Sequence, residues 1–169
     1  MSKLAGVRVI EIPKFRAVSS GIDTFWNIFG EKSKFIKWMD SVKERKIFKN
    51  SIYGHAYDFF WHVDNNMEKT IWIWAIEDWV TEADTTPYEI IEFEGGTYVV
   101  ATTDMNDQAD LNEVIGSITK WIEDSGVYEV HKRNGHDGMC HMIGGGLDKT
   151  LGIDQYEIFM LVRIKSKST

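Results

Sequence analysis

One supersecondary pattern occurs twice in this chain, and that repetition narrows the fold more than any single motif. Residues 7–20, VRVIEIPKFRAVSS, alternate apolar and polar side chains, the period of a strand with one buried face. Residues 23–46 follow with Phe25, Ile28, Phe29, Phe35, Ile36, Trp38, Met39 and Val42 at helical spacing, broken at Gly30. Residues 52–63 and 70–78 then read as two strands joined by the turn DNNMEK at 64–69. The second half repeats the order. A strand spans 88–103. A helix spans 107–126, with Leu111, Val114, Ile115, Ile118, Trp121 and Ile122 on one stripe and Gly126 as its stop. Strands at about 135–143 and 155–165 close the chain. Local matches fall at nearly equal separations: IEI at 10–12 with IEF at 91–93, FIKW at 35–38 with ITKW at 118–121, and GH at 54–55 with GH at 135–136. The expected class is α+β: two pseudo-symmetric strand-helix-strand-strand repeats sharing an antiparallel sheet. Residues 1–169 form a single domain in this reading, with repeat one at about 5–85 and repeat two at about 86–167. Each half alone is small for an independent core.

Charge and composition exclude several roles. The formal net charge is −7, and the basic clusters KERK at 43–46, HKR at 131–133 and RIKSK at 163–167 are short. A duplex-binding surface needs a basic stripe, so no direct nucleic-acid contact is expected. No apolar run approaches the roughly 20 residues of a membrane helix. The first residues lack the apolar stretch of a signal peptide, and Cys140 is the single cysteine, so a cytoplasmic location is expected. The outlier is aromatic content: seven Trp, six Tyr and nine Phe, side chains that dominate both cores and ligand pockets.

Motifs for metal, thiol or nucleotide chemistry fail on spacing. His136, Cys140 and His141, with Asp137 nearby, are the right types for zinc but match no zinc signature. Cys140 as a nucleophile would need an activating His, and His141, next in sequence, points to the opposite face of a strand. GGGLDKT at 144–150 lacks the Gly-Lys-Thr ending of a phosphate loop and precedes a strand; it reads as a connection or a lid. No cofactor and no metal is called for.

Three segments carry a resemblance. IEIPKFRAV at 10–18, IEFEGGTYVV at 91–100 and YEIFMLVRIK at 156–165 resemble, in order and spacing, the GyrI-like small-molecule-binding domain, also called the AraC-type effector-binding domain. The likeness implies two strand-helix-strand-strand repeats around a central ligand cleft, a multidrug-binding type of pocket and a role in transcription regulation, often through a fused DNA-binding helix-turn-helix for which this chain has no room. The family's penultimate strand often carries a hydrophobic-Glu-x-Tyr motif. Here that region reads Met139-Cys140-His141-Met142, and Leu161-Val162 stands where the family usually has a proline.

Strand alternation assigns the faces. In IWIWAIEDW, residues 71–79, Ile71, Ile73 and Ala75 share one side and Trp72, Trp74 and Ile76 the other. On the last strand, Tyr156, Ile158, Met160 and Val162 oppose Glu157, Phe159 and Leu161. With the Ile-rich sides placed under the helices, Trp72, Trp74, Glu157 and Phe159 face the cleft that the resemblance implies. Tyr57, Phe59 and Trp61 form an aromatic stripe with Tyr53 and His55, Tyr98 supplies a hydroxyl, and Trp26 caps the cleft. Aromatic faces hold cations by their quadrupole, and a buried carboxylate is costly without a partner that a cationic guest supplies. The leading expectation is a stand-alone binding protein for hydrophobic, cationic aromatic compounds. The alternatives are a small-molecule hydrolase with Glu157 as acid or base, and a protein-interaction module.

Overall fold

The computed structural model describes residues 6–50, 57–64, 66–133, 135–143 and 155–166. Tyr53, His55 and the 144–154 connection lie outside them. The mixed α+β chain divides into two compact units, Pro13–Gly95 and a second that joins the chain up to Ile12 to everything from Gly96 onward. Every strand pairing given below is antiparallel.

In the Pro13–Gly95 unit, β2 (Phe15–Ser19) pairs with β4 (Thr70–Ala75) on one side and β5 (Ile90–Phe93) on the other, and β3 (Asp58–His62) pairs with β4. The predicted 23–46 helix is two helices, α1 (Phe25–Phe29) and α2 (Lys34–Val42). Thr24 and Ser33 cap them by accepting the Asn27 and Ile36 amides. Gly30 makes the break: a Cβ there would sit 2.4 Å from the Trp26 carbonyl oxygen. A short α3 (Glu82–Thr85), closed by a Thr81/Asp84 capping box, has no apolar stripe to announce it in sequence.

In the other unit, β1 (Arg8–Ile12) pairs with β6 (Gly96–Asp104), β6 with β9 (Gln155–Ile164), and β9 with β8 (Gly138–Met142). A three-residue β7 (Tyr128–Val130) also pairs with β9. α4 (Gln108–Ser125) starts at Asp107, whose carboxylate accepts the Ala109 and Asp110 amides, and stops at Gly126 with φ 63°, as expected. Val114, Ile118 and Ile122 of α4 bury against Val99, Ala101 and Val162. No helix among the described residues is long and apolar enough to cross a membrane.

Each predicted opening strand is therefore two strands. Pro13 and Lys14 separate β1 from β2; Glu94 and Gly95 separate β5 from β6. Gly96, with φ 145°, sits in backbone that L side chains rarely adopt, which is why glycine stands there. The first segment of each opening strand belongs to the other unit: β1 lies with β6, and β5 with β2.

Candidate functional site

Register decides which side chains share a face. Across strands β1, β6, β9 and β8 of the sheet, α4 covers the side bearing Val99, Ala101, Ile158, Met160 and Val162. The opposite side, helix-free among the described residues, carries Glu157 and Phe159, as alternation predicted. Three cross-strand rows build it. Thr102, Glu157 and His141 stand opposite one another, then Val100, Phe159 and Met139, then Tyr98 with Leu161. Directly opposed side chains on antiparallel strands lie close enough to interact. Arg8 joins the second row and Ile10 the third, each opposite its β6 partner. Nearly all of this face is closed to water: Glu157 is 1% exposed, His141 2%, Phe159 and Tyr98 0%.

The face runs from polar to apolar to polar. At one end Arg8 Nη2 donates to Glu157 Oε1, so the buried acid is ion-paired; a carboxylate taken out of water needs such a partner. In the middle the Tyr98 and Phe159 rings meet edge to face at 6.2 Å. At the other end the Tyr98 hydroxyl and His136 Nε2 are hydrogen-bonded at 3.0 Å. Sequence reasoning did not single out Arg8, and weighed His136 only as a metal ligand. Arg8 was readable as the polar position in VRVIEI, but its partner lies 149 residues away.

Burial, with the Arg133 charge adding to it, pushes His136 down to about 4. The folded ring is neutral near pH 7, whereas an unfolded histidine titrates near 6.5. The stability this group contributes is complete above pH 6.5 and is lost as pH falls toward 4, by up to about 1.4 kcal/mol per pH unit. His136→Gln should flatten the pH dependence of the urea-unfolding free energy across that window; an unchanged slope would remove His136 as its source. On the α4 side, burial pushes the thiol of the half-buried Cys140 up to about 12, so it stays a thiol near neutral pH. Among the described residues no group of His, Cys, Asp or Glu is placed to hold a metal ion.

The Pro13–Gly95 unit overturns part of the expected face assignment. Trp72 lies under the helices, its ring 4.6 Å from Phe29 of α1 and 5.6 Å from Phe35 of α2, with Nε1 donating to the buried Asp58 carboxylate at 2.7 Å. Trp74 shares that side and packs on Phe48 at 5.3 Å and Tyr57 at 4.9 Å. The physical reason is the helix stripe itself. Phe25, Phe29, Phe35 and Trp38 are bulky aromatics, and their counterpart on the sheet is an aromatic floor instead of an Ile-rich one. The helix-free side of this unit carries Phe15, Phe59, Trp61, Ile73 and Phe93. There Phe59 stacks on Phe93 at 6.2 Å and 15°, and Trp61 approaches Phe93 at 6.1 Å. Of the predicted stripe, Phe59 and Trp61 thus stay on the side opposite the helices, whereas Tyr57, just before β3, packs on Trp74 of the helix-covered side. Trp26 is 77% exposed and touches Phe25 edge-on at 5.5 Å, a surface position.

The sequence matches no family model and no curated protein. Solved structures do match it over almost its whole length. The EcmrR C-terminal domain aligns with a TM-score of 0.61 at 17% identity, over 95% of this chain and 98% of that one. The chain has the GyrI-like fold. SAV2435, solved bound to tetraphenylphosphonium, shares the GyrI-like fold with a TM-score of 0.57 at 13% identity, over 94% of each chain. A hydrolase from Listeria innocua aligns with a TM-score of 0.63 at 12% identity, over 93% of this chain and 91% of that one. Against EcmrR in its DNA complex, the match spans 58% of the longer chain. At these identities the GyrI-like likeness is one of fold.

Proposed function

We propose that this chain is a cytoplasmic binding module for hydrophobic aromatic small molecules, cationic ones included, that takes them on the helix-free face around Glu157. The observation that carries the reading is a carboxylate 1% exposed on a strand face that α4 leaves uncovered, set beside Phe159 and Tyr98. A core needs no acid there, whereas a site that orients a guest uses a few polar groups in an apolar wall. The SAV2435 complex with tetraphenylphosphonium supports a cationic guest by analogy of fold.

Calorimetric titration with a panel of planar aromatic cations and their neutral counterparts tests the reading. Saturable one-to-one binding that weakens at least about tenfold in Tyr98→Ala or Phe159→Leu is expected, the loss of about 1.4 kcal/mol or more that removing a buried contact brings. A folded protein that binds none of the panel would sink it. One observation favours a second reading, hydrolysis: His141 stands directly opposite Glu157, a carboxylate and an imidazole within reach of one substrate, on a fold that the Listeria hydrolase shares. Turnover of an activated ester or epoxide, lost in both Glu157→Gln and His141→Gln, would decide for it.

A further inference from the structure

Glu157 already has a cation. Arg8 Nη2 donates to its Oε1, and the two side chains differ sharply in exposure, 40% for Arg8 and 2% for Glu157. The register shows how the pair is made. Arg8 is on β1, opposite Val100 of β6, and Glu157 is on β9, one row further on and opposite Thr102 of β6. β1 and β9 both pair with β6, so the arginine crosses that strand to reach the acid, a span of two strand spacings of roughly 4.8 Å each. Its stem thus lies over the helix-free face, with one part in water and the guanidinium on the buried acid. β1 stands at the end of the sheet order with β6 as its neighbour, and a long, 40% exposed side chain on such an edge has solvent within its reach.

We propose that Arg8 is an internal counter-ion that filters guests by charge: a cationic guest reaches Glu157 only by displacing Arg8, while a neutral guest binds on the aromatic part of the same face with the pair intact. The inference rests on the reading of this face as a guest site and adds its selectivity. Two cations that both displace Arg8 are weakened equally, so Arg8 does not choose between cations. It chooses between cations and neutral molecules, because only the former lose the Arg8–Glu157 interaction on binding. This arrangement separates the chain from a site whose acid waits unpaired for a cation.

The test compares naphthylmethylammonium with its neutral isostere naphthylmethanol by calorimetry on the full chain. In Arg8→Gln the affinity for the ammonium should rise about tenfold or more, the scale of one charged hydrogen-bonded pair, while that for the alcohol changes less than about twofold. Adding Glu157→Gln to Arg8→Gln should erase the gain. Arg8→Lys, which keeps the charge with fewer directed donors, should give an intermediate ratio, and it carries the test if the glutamine variant does not melt cooperatively. An ammonium-to-alcohol ratio that is the same in wild type, Arg8→Gln and Arg8→Lys overturns the filter but leaves the guest site standing. Failure of both probes to bind any of these folded proteins removes the guest site, and the filter with it.

Discussion

Trp72→Ala is expected to cost about 3–5 kcal/mol of folding stability from the cavity alone. The loss of its indole donor to Asp58 adds about 1.5–3 kcal/mol, the worth of a hydrogen bond to a charged group. Trp72 is 6% exposed, sits on Phe29 and Phe35, and donates to an aspartate 3% exposed. It is one of the ring contacts, with Phe60, through which the two short helices pack on the strands. Chemical denaturation of Trp72→Ala and Trp72→Phe separates the two contributions, since phenylalanine keeps most of the volume and drops the hydrogen bond. Both variants should leave guest affinity on the Glu157 face within a factor of about two wherever they remain folded, because Trp72 lies under α1 and α2 and is no part of that face. A Trp72→Ala cost below about 1 kcal/mol would mean that the aromatic floor is not what seats α1 and α2.

Glu157→Gln should have the opposite profile, a modest effect on stability and a large one on cation binding. Truncating one partner of a buried charged pair typically costs 2–5 kcal/mol of binding free energy, roughly 30-fold or more in affinity. Stability suffers less than a fully buried pair would predict, because the Arg8 side chain is 40% exposed and can return to water. The double variant Arg8→Met with Glu157→Leu should recover stability close to wild type, as apolar replacement of buried pairs often does, yet bind no aromatic cation more tightly than its neutral isostere. If Glu157→Gln keeps wild-type cation affinity, the acid has no part in recognition.

The α4 side of the molecule was legible from sequence. Its stripe named Val114, Ile118 and Ile122, Asp107 and Gly126 bound the helix, and alternation on the last strand placed Glu157 and Phe159 correctly. Two other features were not. The opening strands read as continuous because the apolar pattern runs through both breaks, but its phase slips. Ile10 and Ile12 face the helix-free side on β1, Phe15 and Ala17 on β2, and the odd step from Ile12 to Phe15 across Pro13 marks the change. The same slip separates Phe93 from Tyr98 around Gly95. The faces of β4 were misread because hydrophobicity alone does not say whether Ile or Trp goes under a helix. The sign lay in the chain's other half of that contact, the aromatic stripe of Phe25, Phe29 and Phe35. Asp58, one residue before Phe59, also marks the side on which a buried indole finds an acceptor. The Arg8–Glu157 pair carries no local signal at all.

The exchange of opening-strand segments has a consequence for how this chain could be taken apart. Along the polypeptide, the unit Pro13–Gly95 is an unbroken insert whose flanks both belong to the other unit. Dividing the gene between the two repeats would orphan β5 from its partner β2 and strip β1 from β6, leaving two fragments with raw sheet edges. The seams that keep β1 with β6 and β5 with β2 fall at Pro13 and at Gly95–Gly96, so fragment complementation or circular permutation should be engineered there.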